Sequence, residues 1–353
     1  MYNDDYEVRM FNDRTNRGRF SHEVTSAMNP TGGIGTCVLG ALTAEEAMVR
    51  GGLDWTVSKR PLTTENRWGE LMPVPDKYVI VRDDNDHVLD VVGKQMTPLQ
   101  NTECLEFMDH HAGPNKLLTY HTVGELRGGS RIFLVATLDN LVFEPTPGDP
   151  VYPYLVLFDG KDGNMRLLSF PMYKRPGCEN EVAGMVLQAE AAGNLMSFKH
   201  TSQIRKRIDE AKRVVATTTQ QVAAYSERMQ YLARKRINSA QWEDLLDSVM
   251  PLPEMKDEDK PGRSWTMTNN KRELVTELFH SGRGTDIVGV RGTAWGAYNA
   301  FTEYTTHHAR VNVGLDKNDR DYDRVRSERL LESTWIGSNK KLAHKVEKLL
   351  LEA

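Results

Sequence analysis

The chain has 353 residues, enough for two domains or one large one with appendages, and its hydrophobic fraction of 39% is too high for a disordered polymer. A net charge of -4 supplies no global field toward nucleic acid or membrane, so any polyanion site must be local. Three scattered cysteines (Cys37, Cys104, Cys178) form no CxxC pair, which argues against a zinc site or disulfide framework and for a reducing compartment. No apolar run approaches the roughly 18 residues of a spanning helix, and the first residues lack a basic-then-apolar signal. The expectation is a cytoplasmic protein that does not enter a membrane.

Residues 1–35 are polar and rich in Asn, Arg, Thr and Gly, and are expected to form a disordered arm or one that orders against a neighbouring subunit. Residues 36–200 read as a sheet domain. Thr43-Ala-Glu-Glu46 matches a capping box opening a short helix that Gly51-Gly52 end. Trp55–Val57 and Tyr78–Val81 read as strands, the second paired with Val88–Val92 across Asp83-Asp84-Asn85-Asp86. That acidic tetrad lacks the glycine and distal Glu of a calcium loop and reads as a turn. Thr102–His111 is predicted helical, with Asn101 as N-cap.

Two β-hairpins follow. Leu118–Leu126 alternates, Gly128-Gly129 turn the chain, and Ile132–Ala136 is strongly apolar. Tyr154–Phe158 and Met165–Tyr173 flank the second turn, Asp159–Asn164. A helix is predicted over 179–192 and a further strand over 195–200. The expected fold is α+β: an antiparallel β-sheet with a backing helix, in a β-β-β-α-like order.

Ile204, Ile208, Ala211, Val215, Thr218, Val222, Tyr225, Met229 and Leu232 alternate spacings of four and three, an a/d seam on one long heptad-patterned helix. Ala211 and Thr218 weaken it, so it can pack on the protein's own body or pair with a second copy. A return helix over 240–250 completes a unit spanning 201–250. Residues 251–263, with three prolines, read as a linker. From 264 to 353 a helical C-terminal region is expected to pack on the sheet domain, with helices over 271–280, 292–308, 323–332 and 340–351.

Charge is unevenly spread. Residues 164–236 hold 13 Lys and Arg against 6 Asp and Glu. A solvated helix face accounts for such a run as readily as a groove that tracks phosphates. On the groove reading the binding residues are Arg127, Arg131, Tyr173, Lys174, Arg175, Lys199, Arg205, Lys206, Arg207, Lys212 and Arg213, with Tyr173 stacking on a base. No phosphate-loop, HExxH or GxSxG motif occurs, so no catalytic residue, metal or cofactor is expected. The adjacent pairs His110-His111 and His307-His308 read as interfacial or surface residues. Trp295, Tyr298 and Asn299, at helical spacing, read more readily as core than as a ligand platform.

Arg291-Gly-Thr-Ala-Trp-Gly-Ala-Tyr-Asn-Ala-Phe-Thr-Glu-Tyr304 resembles the C-terminal signature of phage/plasmid-like proteins carrying domain of unknown function 932. Ala44–Met48, Gly52–Val57, Pro98–Asn101, Leu126–Phe133 and Phe198–Ser202 also look like stretches of that family, so the likeness spans about residues 40 to 352. It departs at Cys178-Glu-Asn-Glu-Val182, where related sequences usually carry Thr at the second Glu. The resemblance implies a mobile-element protein, and by association DNA metabolism, without a settled activity. By element order alone the hairpins-then-helix block is similar to the core of Rad52-type annealing proteins. The resulting expectation is a non-enzymatic protein that binds and anneals single-stranded DNA in phage or plasmid recombination or replication, as a homo-oligomer. The rivals are a regulatory protein gripping a host or phage protein, and a metal-dependent nucleic-acid enzyme using Asp83, Asp84, Asp86 or Glu103.

Overall fold

The two hairpins become the centre of one antiparallel sheet. The computed structural model describes residues 30–41, 43–109, 118–175, 180–182, 196–201, 214–255 and 261–352. Strand β1 (Thr36–Cys37) borders β5 (Thr119–Leu126), followed by β6 (Arg131–Thr137), β7 (Tyr152–Gly160) and β8 (Leu167–Arg175). On the far edge of β8, β9 (Asn180–Val182) pairs with its end and β10 (Met196–Phe198) with its beginning. The β5–β6 turn has positive φ at Gly128 and Gly129, which glycine tolerates without strain, and also at Arg127.

Both faces of this sheet are covered, which is why β6 and β7 read as nearly unbroken apolar runs. Ile132, Leu134, Ala136, Leu155 and Leu157 face one core with helices α1 (Ala44–Gly51), α3 (Val214–Arg234) and α6 (Ala294–Glu303). Phe133, Val135, Tyr154, Val156 and Phe158 face the other, closed by Leu331 and Trp335 of α7 (Tyr322–Ile336). Trp335 stands edge-on to Phe133, Phe158 and Phe170.

The heptad seam is spent inside the chain. Thr218, Val222, Tyr225, Met229 and Leu232 are buried, and α3 packs against β8 and α6; the earlier seam positions Ile204, Ile208 and Ala211 lie outside the described residues. Helices α4 (Ser239–Val249), α5 (Arg263–Ser281) and α8 (Ser338–Glu352) complete the C-terminal layer. A capping box at Asn238 and Gln241 opens α4.

Three local expectations change. Residues 180–182 form β9 rather than the start of a helix, because their backbone completes the edge of β8; residues 183–195 lie outside the described ones. Asn101 begins helix α2 (Asn101–Asp109) but does not cap it: its amide donates to Leu53 O (3.0 Å) and Trp55 O (3.1 Å). Residues 58–77, which carry little strand pattern, form most of a long hairpin, β2 (Val57–Glu65) and β3 (Leu71–Arg82), joined by β4 (Val88–Gly93) into a second sheet. Trp68, Leu71 and Met72 are exposed on that hairpin.

Candidate functional site

The signature segment builds the site from within. Thr293 caps α6 by accepting from Gly296 N (3.1 Å), and Ala294 N donates to Lys235 O (2.8 Å). Every residue of α6 is buried. Trp295 Nε1 donates to Asp149 Oδ2 (2.7 Å), while Asp149 Oδ1 accepts from Arg175 Nε (2.7 Å). The signature aromatics thus form core and hold a buried ion pair in place.

At the end of α6 the helix widens into a π-helical turn, Tyr304–His308, with Ala309 N donating to Tyr304 O (2.8 Å). Such turns insert an extra residue and re-aim neighbouring side chains. From α8, Asn339 Nδ2 donates to Thr305 O (2.9 Å) and pins the turn. Thr306 and His307 then line one cleft, Tyr304 and His308 another. The two imidazole rings are 6.5 Å apart.

The first cleft, about 220 Å³, lies between residues 31–34, the end of β8, the π-turn and α7. Lys174 and Arg326 supply its cationic groups, His307 an imidazole, and Thr31, Thr306, Ser327 and Thr334 its hydroxyls. The second, about 230 Å³, lies between α5 and the π-turn and is lined by Met267, Asn270, Lys271, Leu274, Tyr304, His308 and Arg310. Among the described residues no carboxylate lines either cleft. Lys271, Arg310 and Arg326 make no salt bridge among the described residues, so their charge is not cancelled locally.

The expected binding residues divide sharply. Lys174 is buried and reaches the first cleft. Burial removes Tyr173 and Arg175 from any solvent-facing groove: Tyr173 stacks on Tyr225 with centroids 4.1 Å apart, and Arg175 pairs with Asp149. Arg127 Nη2 and Arg131 Nη1 meet opposite oxygens of the buried Glu332 (2.6 and 2.7 Å), and Arg131 also meets Asp162 (3.1 Å). These pairs fasten the β5–β6 turn to α7. Lys199 is exposed just past β10, while Arg205, Lys206, Arg207, Lys212 and Arg213 lie outside the described residues. Sequence reasoning missed Lys271, Arg310 and Arg326; the paired His307-His308 was the available signal.

A second polar cluster lies in the interior. Lys161 Nζ donates to Asp159 Oδ2 (2.7 Å) and Leu99 O (2.6 Å) and lies 3.9 Å from Cys104 Sγ; His200 Nε2 is 3.0 Å from Asp159 Oδ1. Burial alone would raise the Asp159 carboxyl, but Lys161 and His200 outweigh it and hold its pKa down at about 2. Burial, reinforced by Asp159, pushes the Cys104 thiol well up, away from the thiolate a nucleophile requires. The cluster is a clamp that ties Leu99 and α2 to the end of β7 and to the segment after β10.

The acidic residues considered for a metal are engaged in the turn and its surroundings. Asp83 and Asp86 pair with Arg60, Asp84 pairs with Arg82, and Glu103 Oε2 accepts from Gln100 N. Among the described residues no three metal-ligating side chains gather.

Fold and site together define a mixed α+β protein whose two-faced antiparallel sheet supports a pair of cationic clefts. The family described as Domain of unknown function (DUF932) matches residues 88–335, and the chain belongs to that family. The matched stretch contains Lys174, Lys271, His307, His308, Arg310 and Arg326. No curated protein and no solved structure matches the chain.

Proposed function

We propose that this protein binds single-stranded DNA non-covalently, holding its phosphates along the two clefts that flank the π-turn. One observation carries the reading: six basic side chains from β8, α5, the π-turn with the loop after it, and α7 converge on adjacent clefts lined by no carboxylate among the described residues. Elsewhere Arg82, Arg127, Arg131, Arg228 and Arg272 are matched by Asp or Glu. Lys271, Arg310 and Arg326, which make no salt bridge among the described residues, are the cations a backbone-tracking site needs, because each phosphate contact releases counterions. The single strand is favoured over the duplex because recessed clefts admit separate backbone groups and splayed bases.

Annealing of strands, action in phage or plasmid recombination, and assembly into a homo-oligomer extend this reading. The comparison with Rad52-type cores is an analogy of element order that rests on the consecutive antiparallel strands β5 to β8 alone, since the helix it also needs lies largely outside the described residues. Gel shifts with single- and double-stranded DNA at rising salt test the binding. The expected result is single-strand binding at low salt that weakens as salt rises and that Lys271→Glu and Arg326→Glu each reduce. No binding at low salt, or affinity unaltered in both variants, sinks the proposal.

A further inference from the structure

The two clefts differ in chemistry, and the second combines groups suited to both parts of a nucleotide. The first sets hydroxyls and cations, groups that suit phosphate oxygens, beside Ile34, Leu330 and Leu331. The second has an apolar wall. Met267, Asn270, Lys271 and Leu274 stand at i, i+3, i+4 and i+7 of α5, which places them on one stripe of the helix. Such a stripe ordinarily enters a core. Here Leu274 packs against the core that contains the buried Tyr304, while the stripe continues along the cleft to Met267, which is 38% exposed.

We propose that the second cleft receives one base of a DNA strand, with the phosphates of that nucleotide on Lys271, His308 and Arg310. This rests on the single-strand reading above and adds to it that the site recognises bases. The cleft's volume, about 230 Å³, is below the ~300–1,000 Å³ typical of drug-sized ligands, which suits one flat ring rather than a larger molecule. Met267, Leu274 and Tyr304 supply apolar contact, and base–side-chain stacking tolerates different bases because each has a π-face. The Asn270 amide, which makes no hydrogen bond among the described residues, offers a donor and an acceptor to the base edge. The cationic rim accounts for an anionic ligand and the interior for an aromatic one; a nucleotide is both.

The test uses the full chain and fluorescence anisotropy with labelled oligothymidine and an abasic strand of equal length at one salt concentration. Oligothymidine should bind roughly tenfold tighter than the abasic strand. Removing apolar contact by Met267→Gln, or by Leu274→Gln as a second variant, should bring the two strands to within about twofold by weakening the contact with the base. Equal affinity for both strands in the wild-type protein overturns the base site while leaving the backbone reading standing. No binding of either strand overturns both. If free thymidine monophosphate displaces oligothymidine at concentrations near the strand's own Kd, the cleft belongs to a free nucleotide and the strand assignment fails.

Discussion

Replacing Asp159 by Ala removes the only carboxylate paired with Lys161 among the described residues. Lys161 and Asp159 are both buried, and the ammonium would keep only Leu99 O and the distant Cys104 sulfur. Removing one partner of a buried pair costs about 3–5 kcal/mol, because the remaining charge has neither water nor a counter-ion. Urea unfolding at pH 7 should therefore show an unfolding free energy lower by that amount, read as a lower midpoint at an unchanged m-value. Replacing both groups, as Asp159→Leu with Lys161→Met, should recover most of the loss. The same cluster sets an acid dependence. The Asp159 carboxyl is held at about 2 against an ordinary value of 3.8, so its contribution is fully present above about pH 4 and is lost as pH falls toward 2. That shift corresponds to about 2 kcal/mol in the wild-type protein and should vanish in the double variant. A cost below about 1 kcal/mol for Asp159→Ala, or a double variant no more stable than the single, would refute the clamp.

Trp335→Ala should cost about 3–5 kcal/mol in urea unfolding, since the ring is fully buried among Phe133, Phe158 and Phe170. In the signature helix, Gly296→Ala would place a Cβ 2.2 Å from Val290 O, against backbone that has little room to shift, and should lower stability by about 1–3 kcal/mol in thermal or urea unfolding. Arg127→Ala should shift the unfolding midpoint through loss of the Glu332 contact while leaving the salt dependence of DNA binding unaltered.

The hairpins were legible because their turns carry glycines and their strands face two cores, so both the turn chemistry and the apolar runs are written locally. The seam of α3 was legible for the same reason, and burial of Tyr225, Met229 and Leu232 answers what it packs against. The β2–β3 hairpin was not: Pro61, Pro73 and Pro75 interrupt it, and an exposed arm imposes little apolar alternation. Charge counting could not see that Arg175 is spent on Asp149, because that partner lies 26 residues earlier and reaches it only through the fold. The clefts were hidden more deeply. Lys174, Lys271, His307, Arg310 and Arg326 come from separated elements, and the π-turn that divides His307 from His308 has no local sequence signal.

The central claim is that the clefts hold DNA phosphates, and the slope of binding affinity against salt measures it most directly. If Lys174, Lys271, Arg310 and Arg326 each meet one phosphate of a single strand, log K should fall with log salt at a slope near about −3. The double variant Lys271→Glu, Arg310→Glu should show about half that slope. A flat dependence, or a double variant with the wild-type slope, would contradict the account.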